Sequence, residues 1–419
     1  MLYSPRKFGE LHNYLAGALI FTFFVFLGIP ETADAVSQFS RKYKVECSTC
    51  HTVFPRLNVF GEEFMFNGFQ WPGEKSDGDK VGKEELSDDL FIDQVGNWLG
   101  ARLSLTAVEY ESNDGLTKNG EDQYSLNFGN SNWLQLFVAG SIFKDVAIFI
   151  ELEFEESGSK FSWFHLFFTN LAGTYANLQV GRLSPVDFTP VSDRLRIWQK
   201  SDIMNIKSSN GKGSNSVNVR SSRPGIQYYG YAGPVVWFGG LDNGKDFSDT
   251  DRAKNYWAGA RLYVPFNKEG PFGGTSIGYH FYQGIDNGLI AGVPIATLEN
   301  DFRRHTLSAN IRYQDHYDLQ FVYQFARDEN FTLTPVPTPL SFDGFTVTGA
   351  YWRDNWYAIL QYDQVNSGDS SLVAEVNKLS PSLWYLFRNN FKLGLVGRVD
   401  LSGSGPDDHV VGVEIRTMF

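Results

Sequence analysis

The sequence predicts an all-β transmembrane barrel of about sixteen antiparallel strands, preceded by a small, partly helical N-terminal domain. Three observations predict it. From about residue 97 to the end, apolar and polar residues alternate with period two. Short and long connections alternate along that stretch, as short turns and longer loops do at the two ends of an outer-membrane barrel. Finally, 36 Phe, 20 Tyr and 10 Trp accompany a slightly negative mean hydropathy. That balance excludes a helical bundle in lipid and suits a barrel, where only alternate residues meet the membrane. The formal charge of −12 and the lack of a basic patch exclude a nucleic-acid partner.

The chain opens with an export signal, residues 1–35. Arg6 and Lys7 are its positive end, Leu15 to Gly28 its apolar stretch, and Ala33-Asp34-Ala35 its cleavage site. The apolar stretch is shorter than the ~20 residues that a spanning helix needs.

Residues 36–92 form the expected small domain and an acidic linker. Both cysteines of the chain lie here, in Cys47-Ser48-Thr49-Cys50-His51. C-x-x-C-H is the c-type haem attachment pattern. Two thiols at this spacing form thioethers to the vinyl groups of one haem, and the adjacent His51 reaches the iron as proximal ligand. The domain is therefore read as a c-type haem domain. A structural zinc site would need a second ligand pair, and a thioredoxin-like dithiol would need an αβ fold. A disulfide across the motif is the remaining alternative. Leu57, Phe60 and Phe64 fall at i, i+3 and i+7, on one face of a short helix. That face covers a haem or simply packs a core. Met65 is the methionine near the motif and the candidate distal ligand; packing, later histidines and a five-coordinate haem are the alternatives. Residues 73–93, with Glu74, Asp77, Asp79, Glu84, Glu85, Asp88 and Asp89, read as a linker or loop.

Residues 93–419 form the barrel. In Val146–Glu155, Val146, Ile148, Ile150, Leu152 and Phe154 alternate with Glu151, Glu153 and Glu155, as a lipid face alternates with a wet lumen. Phe391 to Leu401 repeats this with Lys392, Arg398 and Asp400 on the second face. Strands are expected to begin near 100, 132, 146, 162, 175, 225, 234, 255, 274, 303, 317, 343, 355, 381, 391 and 408. Long connections are expected at about 112–130, 184–224, 243–254, 285–302, 328–342 and 365–380. The longest, 184–224, either folds into the lumen or stays outside. An even strand count puts both barrel ends on one side, the periplasm. The chain closes with Val411, Val413, Ile415, Thr417 and Phe419 on one parity, like the assembly signal of outer-membrane barrels.

The run Phe39-Ser40-Arg41-Lys42-Tyr43, the motif Cys47 to His51, the run Phe54 to Phe64 and Asn67-Gly68-Phe69-Gln70 together resemble the outer-membrane fused cytochrome–porins of iron-oxidising bacteria. The motif match covers about residues 36–72; the barrel agrees in architecture and length. The resemblance implies one c-type haem on Cys47, Cys50 and His51 and a sixteen-stranded porin in the outer membrane. It also implies oxidation of extracellular Fe(II), with electrons passed to a periplasmic cytochrome c or similar carrier. The haem domain would sit on the periplasmic side or in the lumen. Strand direction places Glu155, Glu156, Asp407, Asp408 and His409 near the external mouth, where they would capture Fe(II) or form solvated rim charge. Two rivals remain: a conduit for another electron donor, and a diffusion porin with an accessory haem.

Overall fold

The computed structural model describes residues 38–72, 83–87, 90–93, 95–118, 121–129, 132–155, 158–197, 199–244, 254–264, 270–290, 293–387, 390–402 and 409–418. The export signal and Phe419 lie outside them, as do Glu156, Asp407 and Asp408.

The strands close on themselves. They run β3 (Leu99–Lys118), β4 (Glu121–Asn127), β5 (Trp133–Phe143), β6 (Val146–Glu155), β7 (Gly158–Phe168) and β9 (Asn177–Leu183), with a short β8 (Leu171–Thr174) in the last hairpin. They continue as β10 (Arg223–Ala232), β11 (Val235–Asp242), β12 (Asn255–Tyr263), β13 (Ser276–Ile290), β14 (Val293–Tyr313) and β15 (Tyr317–Asp328). The last are β16 (Leu340–Arg353), β17 (Trp356–Ser367), β18 (Val376–Phe387), β19 (Phe391–Asp400) and β20 (Val410–Met418), and β20 pairs back on β3. Every neighbouring pair is antiparallel. β4 takes the far half of β3 and β5 the near half, so together they make one stave and the barrel has sixteen.

The barrel is inside out. Along β15, Asp318, Gln320, Gln324 and Asp328 are buried, while Leu319, Phe321 and Phe325 are exposed. β6 buries Glu151 and leaves Phe154 exposed. Polar residues fill the lumen because water and ion pairs satisfy them there; apolar ones face outward because lipid is their solvent. At the short-turn end the outer wall carries an aromatic band, with Tyr317 4.8 Å from Tyr351 and Trp356 4.8 Å from Tyr385 by ring centres. Such bands mark a membrane interface.

Two expected loops are strand instead. Residues 285–302 are Gly- and Asn-containing, yet β13 and β14 stay paired up to Ile290 and Val293, across a bulge at Asn287/Gly288. β3 likewise runs on to Lys118, through most of the expected loop start at 112. The acidic linker holds a hairpin, β1 (Lys83–Ser87) with β2 (Leu90–Asp93).

The N-terminal segment does not hang below the barrel. It folds as helix α1 (Gln38–Tyr43), a 3-10 turn at Cys47–Thr49 and helix α2 (Val59–Phe66) inside the short-turn end of the lumen. Phe66, 1% exposed, meets Phe188 and Tyr231. Phe69 stacks on Phe149 of β6 at 5.3 Å. Residues 184–222 also enter the lumen and include helix α3 (Asp202–Asn205). They cross to the opposite wall: Gln324 Nε2 donates to the Ile203 carbonyl (3.0 Å), and the Asp202 and Asn215 N–H groups donate to Asp363 and Asp286.

Candidate haem site and lumen chamber

The 3-10 turn puts both cysteines on one short loop, with the Cys50 and His51 N–H groups donating to the Cys47 carbonyl (3.2 and 3.0 Å). Both thiols are free and half-buried. Burial pushes the Cys50 thiol up to about 11, with the Cys47 charge adding to it. The neutral thiol is the form that this environment keeps.

His51 is turned by its backbone surroundings. Its Nδ1 lies 3.3 Å from the Arg56 carbonyl, which only accepts, so Nδ1 carries the proton and Nε2 keeps its lone pair. Burial pushes the imidazole down to about 4, so it is neutral. Metal-bound histidines show this arrangement, a neutral ring oriented by a carbonyl on the far nitrogen.

Asn58 holds the turn to α2, and the sequence reading missed it. It is the N-cap of α2: its Oδ1 accepts from the Gly61 N–H (2.8 Å), and its Nδ2 donates to the Ser48 and Thr49 carbonyls (3.1 and 3.0 Å). Its own N–H donates to the Cys50 carbonyl (2.9 Å). A Cβ on Gly61 would collide with that carbonyl, so α2 can pack on the motif only where residue 61 is glycine. The local signal was an Asn opening an apolar helical stretch. Asn58→Ala is expected to cost about 1–2 kcal/mol of local stability from the cap alone. If the motif carries haem, the substitution should lower the covalent haem recovered per protein, read by absorbance against peptide mass. Unchanged loading would show that the turn holds itself.

Cys47, Cys50 and His51 line a chamber of about 1020 Å³ inside the lumen, at the upper end of the ~300–1,000 Å³ usual for ligand pockets. The chamber runs past Arg102 and Glu151 from Asp354, Asn355 and Asn390 at the short-turn rim to Glu155 and Lys160 near the other. Free thiols on one turn, an oriented neutral imidazole and an adjoining chamber fit a c-type haem.

Met65 is buried and lines the same chamber. Its Sδ is 4.0 Å from Arg194 Nη2, and that guanidinium lies over Phe149 and pairs with Asp187. Of the later histidines, His165 on β7 faces the lumen with Nδ1 at the Arg182 carbonyl (3.0 Å) and its buried Nε2 unpartnered. It is not among the residues lining the chamber. Leu57 and Phe64 line the chamber, whereas Phe60 turns to Trp71 at 4.9 Å.

The segment is seated by buried charge. Glu62 accepts from Arg261 Nη2 (2.9 and 3.0 Å), Arg312 Nη2 (3.2 Å) and Tyr263 Oη (2.6 Å). Arg56 pairs with Asp318 at 3.0 Å and donates to the Pro190 carbonyl. Burial pushes the Glu62 carboxyl up, but Arg261 and Arg312 outweigh it and hold Glu62 below the usual carboxylate range.

At the long-connection end, Glu155 pairs with Lys160 at 2.8 Å. His409 Nδ1 accepts the Asp400 N–H at 3.2 Å. Glu155 and His409 are not brought into one cluster, and among the described residues no group of three His, Cys, Asp or Glu forms a metal site.

No family model matches the chain, and no curated protein matches it. Solved structures do. The anion-selective porin from Comamonas acidovorans superposes with a TM-score of 0.55 at 15% identity, over 77% of this chain and 98% of that one. The outer membrane channel DcaP of Acinetobacter baumannii gives 0.52 at 14%, over 77% and 97%. In-vitro folded OmpT, an outer membrane protein of Vibrio cholerae, gives 0.51 at 12%, over 77% and 99%. At these identities the likeness is one of fold: the chain has a porin-type barrel.

Proposed function

We propose that the chain is an outer-membrane barrel that moves electrons through a covalently held c-type haem, from an extracellular donor to a periplasmic carrier. The observation that supports this is C-x-x-C-H within the lumen, its thiols free and its imidazole oriented toward ligation beside a chamber. When bound, haem supplies a one-electron couple. The chain's own residues do the rest. Cys47 and Cys50 would hold the group covalently, His51 would offer Nε2 to the iron, and Met65 is the nearby sulfur proposed as a further ligand. α2 and residues 184–222 supply part of the chamber wall. Fe(II) is the donor that the fused cytochrome–porin resemblance implies. Glu155, Glu156, Asp407, Asp408 and His409 are the rim groups proposed to gather it. Only an electron needs to cross, so ferric product would stay outside.

The barrel favours a second reading, passage of small solutes. Porins share its fold, and the chamber extends lengthwise beside the plug. Ferrous iron added without oxygen to the oxidised, matured protein separates the two. Sharp reduced c-type bands within the mixing time support the electron reading. A haem reduced by dithionite but not by iron keeps the conduit and removes Fe(II). Open-channel current from wild-type protein that matures without haem establishes the porin reading.

A further inference from the structure

Lys392 on β19 is a buried basic group to which no acid is bonded among the described residues. Its residue is 6% exposed and lines the chamber that holds Cys47, Cys50 and His51. Its ammonium lies over three rings, Trp384 at 4.7 Å, Tyr357 at 5.3 Å and Phe54 at 5.9 Å. No hydrogen bond or ion pair joins Lys392 to another described residue. The charged groups facing it are Arg416, Arg102 and Glu414. Glu414 is already held by Arg416 at 2.6 Å, and Arg102 leans on Gln135 and the ring of Trp133. Arg102 also faces Glu151 and Glu153, which leaves Lys392 as the basic group of this wall with no acid of its own among the described residues.

Ring faces stabilise an ammonium. Desolvating an unpaired charge costs more than such faces return. The rings alone leave the position incomplete, and an anion in the chamber would complete it. Phe54 links the two halves of the site, its ring 5.2 Å from that of His51 and 5.9 Å from the ammonium.

We propose that Lys392 is an anion-binding position that takes a carboxylate inside the chamber. The carboxylate comes from a propionate of the haem or from a free solute. The first source rests on the haem reading given above; the site itself does not. A cation beside the carboxylate disfavours the ferric state, which carries one more positive charge than the ferrous.

Lys392→Met keeps the side-chain length and removes the charge; Lys392→Arg keeps the charge. In haem-loaded protein, Lys392→Met is expected to raise the ferric-to-ferrous ratio at fixed electrode potential about tenfold, equal to about 59 mV for one electron. Lys392→Arg should restore the ratio. In haem-free Cys47→Ala/Cys50→Ala protein, acetate should change tryptophan fluorescence through Trp384, and Lys392→Met should abolish that response. If acetate leaves the potential of the loaded protein unchanged, the carboxylate is the haem's own; if acetate shifts it, a free solute binds there. Haem attachment with no effect of Lys392→Met on the potential, and no acetate response, overturns the site and leaves the haem reading standing. If no haem attaches, that reading falls, and the acetate response alone decides the site.

Discussion

A Glu62→Gln protein is expected to release residues 38–72 from the lumen while the barrel stays folded. Glu62 is 3% exposed and neutralises two guanidiniums that strands β12 and β14 present to the lumen. Gln keeps the shape and one acceptor but leaves Arg261 and Arg312 facing each other without a full counter-charge. Breaking a buried pair from one side costs about 3–5 kcal/mol, because the partner charge stays desolvated. At 1.4 kcal/mol per tenfold, the docking equilibrium falls by about two to three and a half orders of magnitude. Proteolysis should then cut within residues 38–72, and single-channel conductance should rise, with the sheet still resisting detergent at room temperature. The pH dependence follows from the same contacts. Glu62 sits below the usual value of about 4.3, so its contribution is complete above that pH and is lost only as pH falls through its lower folded value. Docking should therefore survive acid that protonates exposed carboxylates. Arg56 with Asp318 is a second tether in the same region. A Glu62→Gln protein that stays closed and protease-resistant would assign the seating to that pair and to the Phe66 and Phe69 contacts.

Those tethers show what the sequence could and could not carry. The barrel was legible because each stave must satisfy two solvents at once. In β6 the lipid demands Val146, Ile148 and Ile150, the lumen accepts Glu151 and Glu153, and the period of two follows directly. Sixteen staves were expected and sixteen close the barrel. The pattern failed where strands leave the apolar band. Beyond about Ile285, β13 and β14 have no lipid to impose alternation, so Asp286, Asn287 and Gly288 read as a loop although their backbones stay paired. The C-x-x-C-H motif was legible because its chemistry is local. Its supports were not: Glu62 meets Arg261 and Arg312 across 199 and 250 residues, and Arg56 meets Asp318 across 262. Alternation told that Lys392 lies on the second face of β19. It gave no height along the lumen, and height is what brings Lys392 level with Phe54.

On the haem reading proposed above, replacing both cysteines should abolish covalent haem entirely while leaving the barrel unchanged. The two thiols do little structural work. Cys47 Sγ makes one weak contact, 3.9 Å from Ser40 Oγ, and the turn is held by backbone bonds and by Asn58. A Cys47→Ser/Cys50→Ser protein should therefore keep its plug, its buried Glu62 cluster and its thermal transition. Its intact mass should drop by one haem, beyond the sulfur-to-oxygen difference, and its visible spectrum should vanish. Because the chamber extends lengthwise within the lumen, the same protein is expected to conduct small ions better than the loaded one. These two readouts are independent, and together they separate the rival functions. Haem lost and current gained means that the cofactor occupies the passage, and that electron transfer and solute flow compete for one space. Haem lost with current unchanged means that plug and loop already seal the lumen, so only electrons were ever able to cross. A wild-type mass without haem, with Cys47 and Cys50 joined to each other, removes the redox couple altogether. What is left would then be a porin barrel narrowed by its own N-terminus, and passage of small solutes would be its function.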